Sequence, residues 1–416
     1  MKQSLQNLLS TFRQLKAWGV SGAWSALRRL PHERRIAKTL AKSARQHVGT
    51  VPRRGITVVA PMSGAHSLSK AMRDFVVRLR ETDVPHQVFD TFGREGRAAR
   101  GDYEALLTPI SEFDLLRYDH VVEMLTSPLP KGLPVKRCRI AFWEGEAGLL
   151  DVFPYLAESD TVIALSDFNA AYFRRALPPT VNVAKIRYPL APLPKGILDR
   201  AAARTRFGIA AEDFVVFYNF DIGSAGRKNP EGTLNAFAKA FAGEKGCRLL
   251  LKINGARQAI ERMDALRSMA MRLGIAEQMT IVTEYLSQTD LYSLTSACDV
   301  YMSLHRAEGF GLGIAEAMSL GKACIATDYS STTEFCRPDT AIPIPCRLVP
   351  IGKEEGFCRH MELWAEPDVA AAAAALRRLK DDGALRDKLG QNARKFVSEH
   401  YSPESFRQSI DSFLDT

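Results

Sequence analysis

The sequence predicts an α/β protein made of two doubly wound, parallel-sheet domains facing each other across a cleft. Three observations predict it. Short apolar strands alternate with helical segments from residue 55 onward, a proline-rich stretch at Tyr188–Pro194 interrupts them, and the same alternation restarts at Phe214. A chain of 416 residues suffices for two domains of ordinary size. With 46% hydrophobic and 25% charged residues it has globular proportions, which exclude a disordered tail, a collagen, a coiled coil and a disulfide scaffold.

In the first domain, Ile56–Ala60 is an apolar run followed by a polar turn and a helical segment near 67–80. Further strands are expected at 84–90, 120–125, 138–143, 161–166 and 182–188, with helices near 149–157 and 167–176. Runs apolar on both faces, separated by helices, call for a parallel sheet covered on both sides. The prolines at 189, 192 and 194 cannot join a sheet interior, so the hinge falls there. In the second domain, strands are expected at Phe214–Tyr218, Arg248–Ile253, Met279–Val282, Asp299–Leu304 and Cys324–Thr327. A helix over 230–242 opens on Pro230, well suited to a first turn, and another is expected at 313–320. Two helices fill 367–400, and a last amphipathic segment carries Phe406, Ile410 and Phe413. The domains are therefore an arm over 1–54, an N-terminal domain over 55–190, a C-terminal domain over 196–400, and a helix over 401–416 that returns to the N-terminal domain.

Charge separates the arm from the body. Residues 1–54 carry 12 Lys and Arg against one acid, Glu33, a net of +11, whereas the remainder carries −2. A nucleic-acid-binding core would hold its positive stripe on the folded body, so that class is excluded. Leu5, Leu8, Leu9, Phe12 and Leu15 recur at helical spacing, and Trp24, Leu27 and Leu30 extend an apolar face. A basic helix of this kind can lie on an anionic bilayer surface, or it can pack on its own domain or on a second copy. No run approaches the roughly 20 apolar residues of a spanning helix, and no secretory apolar region opens the chain. The seven cysteines form no CxxC and no Cys/His cluster, which reads as reduced thiols in a cytoplasmic protein without zinc.

Two segments carry the chemistry. Leu304–Gly321 places Gly309, Gly311 and Gly313 between a strand and a helix. Such a turn lets backbone N–H groups approach an anion, and the helix N-terminus adds partial positive charge. Glu308 enters this loop, and Glu316 is expected in the first turn of the helix. An ionised carboxylate can accept paired hydroxyl hydrogen bonds from a sugar or ribose; the same pattern also suits a purely structural strand–turn–helix. The second segment, Asp221–Pro230, also joins a strand end to a helix start and holds Arg227 and Lys228, a fork and a point charge for phosphate oxygens. A solvated basic turn is the alternative. Both segments follow carboxyl ends of strands, where parallel sheets bind ligands.

The run Arg227–Lys–Asn–Pro230, followed some eighty residues later by Glu308–Gly–Phe–Gly–Leu–Gly–Ile–Ala–Glu316, resembles the family-four retaining glycosyltransferases of GT-B fold. The block Gly321–Ser330 and Trp364–Pro367 look like the bacterial polysaccharide-assembly branch. The resemblance is strong over 214–367 and weaker over 55–190. It implies a GT-B architecture and transfer of a hexose-type sugar from a nucleotide-diphosphate sugar to a glycan or lipid-linked acceptor. By position, Arg227 and Lys228 match the pair that binds the donor diphosphate. Glu308 matches the glutamate that reaches hydroxyls near the reacting carbon, and Gly309, Phe310, Gly311 and Leu312 match the loop facing sugar and phosphate. Glu316 matches the glutamate expected on the ribose. Members generally need no metal or other cofactor.

In the first domain, Pro61–Ser69 matches the family's first strand–helix loop, which includes Gly64, and Arg73 stands in its usual place. Relatives more often carry glycines where Ser67 and Ser69 stand. Phe142–Glu146 resembles an aromatic-plus-glutamate stretch, so Glu146 or Glu144 is expected as an acceptor-side carboxylate with Trp143 as a stacking wall; a strand end with a core Trp and solvated acids is the alternative. His305 and His120 could face the cleft. Relatives tend to have Gly-Asn where Ser331 and Thr332 stand, which leaves the donor sugar open. The expected location is cytoplasmic, or peripheral on the inner face of the inner membrane. The competing functions are a nucleotide-sugar epimerase of the same fold and a non-catalytic binding or scaffold subunit.

Overall fold

The structure, a computed structural model, describes residues 36–46, 51–64, 67–91, 103–124, 132–352 and 356–416. The apolar positions Leu5 to Leu30 and the loop residues Ala65 and His66 lie outside the described residues. The chain divides into two units. Unit 1 comprises residues up to 191 together with 351–362 and 401–416; unit 2 comprises 192–350 and 363–400.

Unit 1 is built on six strands, β1 (Arg53–Ala60), β2 (His86–Asp90), β3 (Tyr118–Met124), β4 (Lys136–Ala141), β5 (Thr161–Ala164) and β6 (Asn182–Lys185). They form one parallel sheet in the order β2-β1-β3-β4-β5-β6. The apolar runs of the central strands are buried along their length, as Ile56, Val58, Val59, Val121, Val122, Val162 and Ile163 show. Helix formation follows local chemistry: Ser166 accepts the Asn169 amide at 3.1 Å and so starts the helix Asp167–Ala176. The helix expected over 149–157 stops at Val152, and a 3-10 turn covers Pro154–Glu158. Proline disfavours helical geometry in the residue before it, and Phe153 sits at φ −124°, ψ 60°.

The charge boundary near residue 54 is not a packing boundary. Residues 36–46 form a helix whose Ile36, Leu40 and Ala44 join a core cluster with Val59, Phe113, Leu115 and Val121. The Leu115 amide donates to Ser43 Oγ at 3.0 Å, and Arg53 and Arg54 already belong to β1. The C-terminal helix Pro403–Leu414 completes the same unit. Phe406 meets Phe75 edge-on at 5.6 Å, and Phe413 lies 5.2 Å from the ring of His120. His120 is 1% exposed and its Nδ1 is 2.8 Å from Asp119, so it is a core residue rather than one facing a cleft.

Unit 2 repeats the plan with β7 (Phe214–Asp221), β8 (Cys247–Asn254), β9 (Met279–Val282), β10 (Val300–Ser303), β11 (Ala323–Thr327) and β12 (Ile342–Ile344). Their order is β12-β11-β10-β7-β8-β9, again parallel. A two-stranded antiparallel hairpin, β13 (Cys346–Pro350) and β14 (Leu363–Pro367), stands apart from the sheet. Its connecting segment, 351–362, belongs to unit 1. There Met361 and His360 close on Gly145 and Gly148, leaving no room for a Cβ at either glycine. In both sheets the chain changes direction beside the starting strand, between β1 and β3 and between β7 and β10. These are the switch points at which open parallel sheets bind ligands.

Candidate functional site

The switch point of unit 2 collects the charged side chains. After β7 the chain makes a 3-10 turn and a four-residue helix, Ala225–Lys228, that ends on Asn229 in the left-handed region at φ 52°. Asparagine tolerates that conformation because its side chain bonds locally. The Gly232 amide donates to Asn229 Oδ1 at 3.0 Å, which starts the helix Pro230–Phe241, while Nδ2 donates to the Leu304 carbonyl at 2.9 Å. Two more bonds fix the cationic turn: the Tyr218 hydroxyl donates to the Lys228 carbonyl at 2.7 Å, and the Arg306 amide donates to the Arg227 carbonyl at 2.7 Å. Arg306 Nη1 also donates to the Gly226 carbonyl at 3.0 Å.

Opposite, after β10, Glu308 is 5% exposed. Lys228 Nζ donates to Glu308 Oε1, and Arg227 Nη1 lies 3.5 Å from Oε2. Burial by itself would raise the Glu308 carboxyl pKa, but the charges on Lys228 and Arg227 reverse the balance and hold it at about 2. An ionised carboxylate is thus kept in a buried site beside two cations. The same cations, spaced by one carboxylate, can also face an anionic ligand.

The glycine loop continues from Glu308. Gly311 lies at φ +93°, in the left-handed region, and a Cβ there would approach Thr332 Cγ2 to 2.4 Å, so both conformation and space demand glycine. The helix Leu312–Ser319 starts on Gly311, one residue earlier than its sequence suggested. This moves Glu316 out of the first turn and into the second. Glu316 is 7% exposed, and the Tyr292 hydroxyl donates to its Oε1 at 2.8 Å. Gln288 Nε2 donates in turn to the Tyr292 oxygen at 3.1 Å. Across the sheet, Tyr301 donates to Asn219 Oδ1 at 2.5 Å, and both crowd Gly313. Phe310, 4% exposed, packs on Phe335 at 5.3 Å.

His305 is fully buried rather than open to a cleft. Its Nδ1 is 3.1 Å from Ser303 Oγ and its Nε2 is 3.2 Å from Thr332 Oγ1. Burial lowers its pKa to about 4, so the ring is neutral at pH 7.

In unit 1, Gly64 follows β1, at that sheet's switch point. Arg73 Nη1 donates to the Met62 and Gly64 carbonyls at 2.7 and 2.9 Å, and the Met62 amide donates to Asp90 Oδ1 at 2.9 Å. Arg73 therefore shapes the loop. Trp143 is completely buried, with Nε1 donating to the Ala147 carbonyl at 2.7 Å and Phe153 edge-on at 5.8 Å. That makes it a core residue, not a stacking wall. Glu146 is exposed and pairs with Arg175 at 3.0 Å, while Glu144 is half-buried.

Sequence reasoning missed Asn229, Tyr292, Arg306 and Ser330, which bond to the two charged segments, and Asn219, which accepts from Tyr301 beside Gly313. The αL-tolerant Asn before Pro230 was the one signal that could have marked a fixed turn. Among the described residues no group of three His, Cys, Asp or Glu side chains is arranged to hold a metal, and no helix is long and apolar enough to cross a membrane.

Residues 219–396 match the family model described as glycosyl transferases group 1, and so span both charged segments. The chain is 26% identical over 263 residues to a D-inositol 3-phosphate glycosyltransferase of Mycobacterium marinum, covering 62% of this chain and 49% of the relative. A protein of the same description from Mycobacterium ulcerans is 26% identical over 219 residues, covering 52% of this chain and 41% of the relative. The chain thus spans about half the length of the curated relatives it matches. Among solved structures, the sucrose-phosphate synthase of Thermosynechococcus elongatus superposes with a TM-score of 0.65 at 17% identity, covering 87% of this chain and 98% of that one. Anabaena HepE in complex with UDP-glucose gives 0.62 at 14% identity, covering 87% and 100%. The fold is therefore that of the GT-B glycosyltransferases, two parallel-sheet, Rossmann-like domains.

Proposed function

We propose that this chain, whose residues 219–396 form a group 1 glycosyl transferase domain, moves a hexose-type sugar from a nucleotide-diphosphate sugar to a glycan or lipid-linked acceptor. The setting is bacterial surface polysaccharide assembly on the inner face of the membrane, and the anomeric configuration is retained. The observation that carries this reading is the pairing of Arg227 and Lys228 with the buried, ionised Glu308 at the switch point of a parallel sheet. The UDP-glucose complex of Anabaena HepE supports the donor class.

When the bond between the anomeric carbon and the diphosphate oxygen breaks, negative charge grows on the departing nucleoside diphosphate. Arg227 and Lys228 stabilise it there, a role that side-chain cations can fill without a metal. Glu308, ionised at any working pH, accepts hydrogen bonds from sugar hydroxyls and orients the reacting carbon. The loop of Gly309, Phe310, Gly311 and Leu312 lets backbone amides approach the sugar and phosphate, and Glu316 accepts the ribose hydroxyls. In unit 1, the loop carrying Gly64 serves donor binding and Glu146 serves the acceptor. The basic residues ahead of the packed helix over 36–46 keep the enzyme at an anionic membrane surface and so raise the effective concentration of a lipid-linked acceptor.

The test is release of nucleoside diphosphate from UDP-, GDP- and ADP-linked hexoses, followed by NMR of the product's anomeric proton. Turnover of one donor with retained configuration, lost in Glu308→Ala, is the expected result. Turnover unaffected by that substitution overturns the assignment of the site, and product formed from the donor alone by epimerisation overturns the reaction.

A further inference from the structure

The segment after β11 carries residues the proposed chemistry does not use. Ser330–Glu334 is a 3-10 turn entered through Ser330, a non-glycine residue held at φ +65°. Its residues 330–332 are buried, with Ser330 2%, Ser331 1% and Thr332 fully covered. Small polar side chains buried at a left-handed turn are costly unless bonded. Here the bonds run to the glycine loop.

Three contacts connect the two segments, and each falls on a different part of the loop. At its entry, Thr332 Oγ1 lies 3.2 Å from His305 Nε2. That hydroxyl donates to the Tyr329 carbonyl at 3.1 Å, so its oxygen is left to accept from the Nε2–H of a neutral His305 ring. In the middle, the Glu308 amide donates to Ser330 Oγ at 3.0 Å. At its exit, the Thr332 methyl fills the space that a Cβ on Gly311 would occupy. One turn therefore sets the loop's start, the backbone of its carboxylate residue, and the left-handed glycine on which the following helix begins.

We propose that Ser330 and Thr332 are positioning residues for the donor site. Ser330 fixes the backbone of Glu308, and Thr332 fixes His305 and Gly311, so that together they set where the Glu308 carboxylate stands relative to Arg227 and Lys228. The inference rests on the donor-site reading above. Both residues are buried and act through the groups they contact. Their effect is on the geometry of the Glu308 carboxylate, and a misplacement of about 1 Å can cost on the order of 10²-fold in rate.

The experiment compares Ser330→Gly, Thr332→Val and Thr332→Ser with the full-length chain. Glycine at 330 removes the hydroxyl but suits the backbone, so folding is preserved. Serine at 332 keeps the hydroxyl and loses the methyl, whereas valine does the reverse. Five quantities are read: kcat for release of UDP from UDP-glucose, or of the nucleotide the donor panel selects; the Kd of that nucleoside diphosphate; Tm; hydrogen exchange at the Glu308 amide; and the 15N shifts of the His305 ring. For Ser330→Gly we expect kcat to fall by about 10- to 100-fold, nucleotide Kd and Tm to stay put, and the Glu308 amide to exchange faster. Thr332→Val is expected to lower kcat and change the His305 ring's 15N tautomer signature, with Thr332→Ser recovering the latter. Faster exchange with kcat within twofold of wild type in both Ser330→Gly and Thr332→Val overturns the proposal while leaving the transferase reading intact. Wild-type chain that turns over no donor overturns that reading first, and the positioning role falls with it.

Discussion

Units 1 and 2 are both six-stranded parallel sheets that turn back beside their first strand, β1 and β7, but they hold their candidate side chains in opposite ways. In unit 2 the carboxylates are buried and partnered: Glu308 by two cations, Glu316 by Tyr292. In unit 1 the carboxylate proposed for the acceptor, Glu146, stands half in water beside Arg175, with side-chain exposures of 51% and 60%. The first arrangement fixes charge among buried partners, where electrostatic interactions are strong. The second leaves a charge free to move and nearly without energetic consequence. Charge development at a leaving diphosphate calls for the former, while recruitment of a varied, hydrated acceptor tolerates the latter.

The largest test of this contrast is Glu308→Gln, which removes the charge and keeps the shape. Donor turnover should fall by about 10²- to 10³-fold, measured as nucleoside diphosphate release; retention of more than a tenth of the rate would mean the buried carboxylate is structural. Next is acid stability. Burial lowers the His305 pKa from 6.5 to about 4, so below pH 6.5 the unfolded chain takes up a proton that the folded chain refuses, and stability falls with pH until about 4. Between pH 7 and 5 this term is worth roughly 2 kcal/mol, visible in urea midpoints. His305→Asn should flatten that slope. Glu308 adds loss of the same sign lower down, because its folded pKa of about 2 lies below its ordinary 4.5 and its contribution fades as pH drops through that window. Smaller again is Tyr292→Phe. Losing one hydrogen bond to a buried carboxylate should weaken nucleotide binding by about three- to tenfold, read by calorimetry. The least effect on stability belongs to Glu146→Gln, within about 0.5 kcal/mol. If Glu146 serves the acceptor, that variant still lowers transfer but spares donor hydrolysis, and equal rates of both in variant and wild type remove it from the site.

Much of the charged constellation in unit 2 could be read from the chain because its residues lie close in sequence within two short segments. Arg227 and Lys228 sit together in sequence, Gly311 is required by its backbone angle, and the helix after it begins within a residue of its expected start. The supporting groups were not legible, because Asn229, Tyr292, Ser330 and Thr332 act across 22 to 75 residues of chain, and apart from the Asn before Pro230 nothing in their own neighbourhoods announces a buried bond. The hairpin of β13 and β14 escaped for a related reason. It stands apart from either sheet, leaves Leu348 and Leu363 exposed, and so shows no core-facing alternation. Trp143 misled in the other direction, since an aromatic beside two acids has the composition of a binding wall, whereas its burial is decided by Ala147 and Phe153.

The return of the last helix to unit 1 also bears on how the chain is made. Phe406, Ile410 and Phe413, buried to within 2% exposure, are supplied by residues 403–414, which follow all of unit 2 in the sequence. Domains generally fold in order of synthesis, amino-terminal first. On the ribosome this order is inverted: unit 2 has its described strands once residue 367 has emerged and the helix Gly383–His400 by residue 400, while unit 1, begun first, lacks part of its core until residues 403–414 have followed.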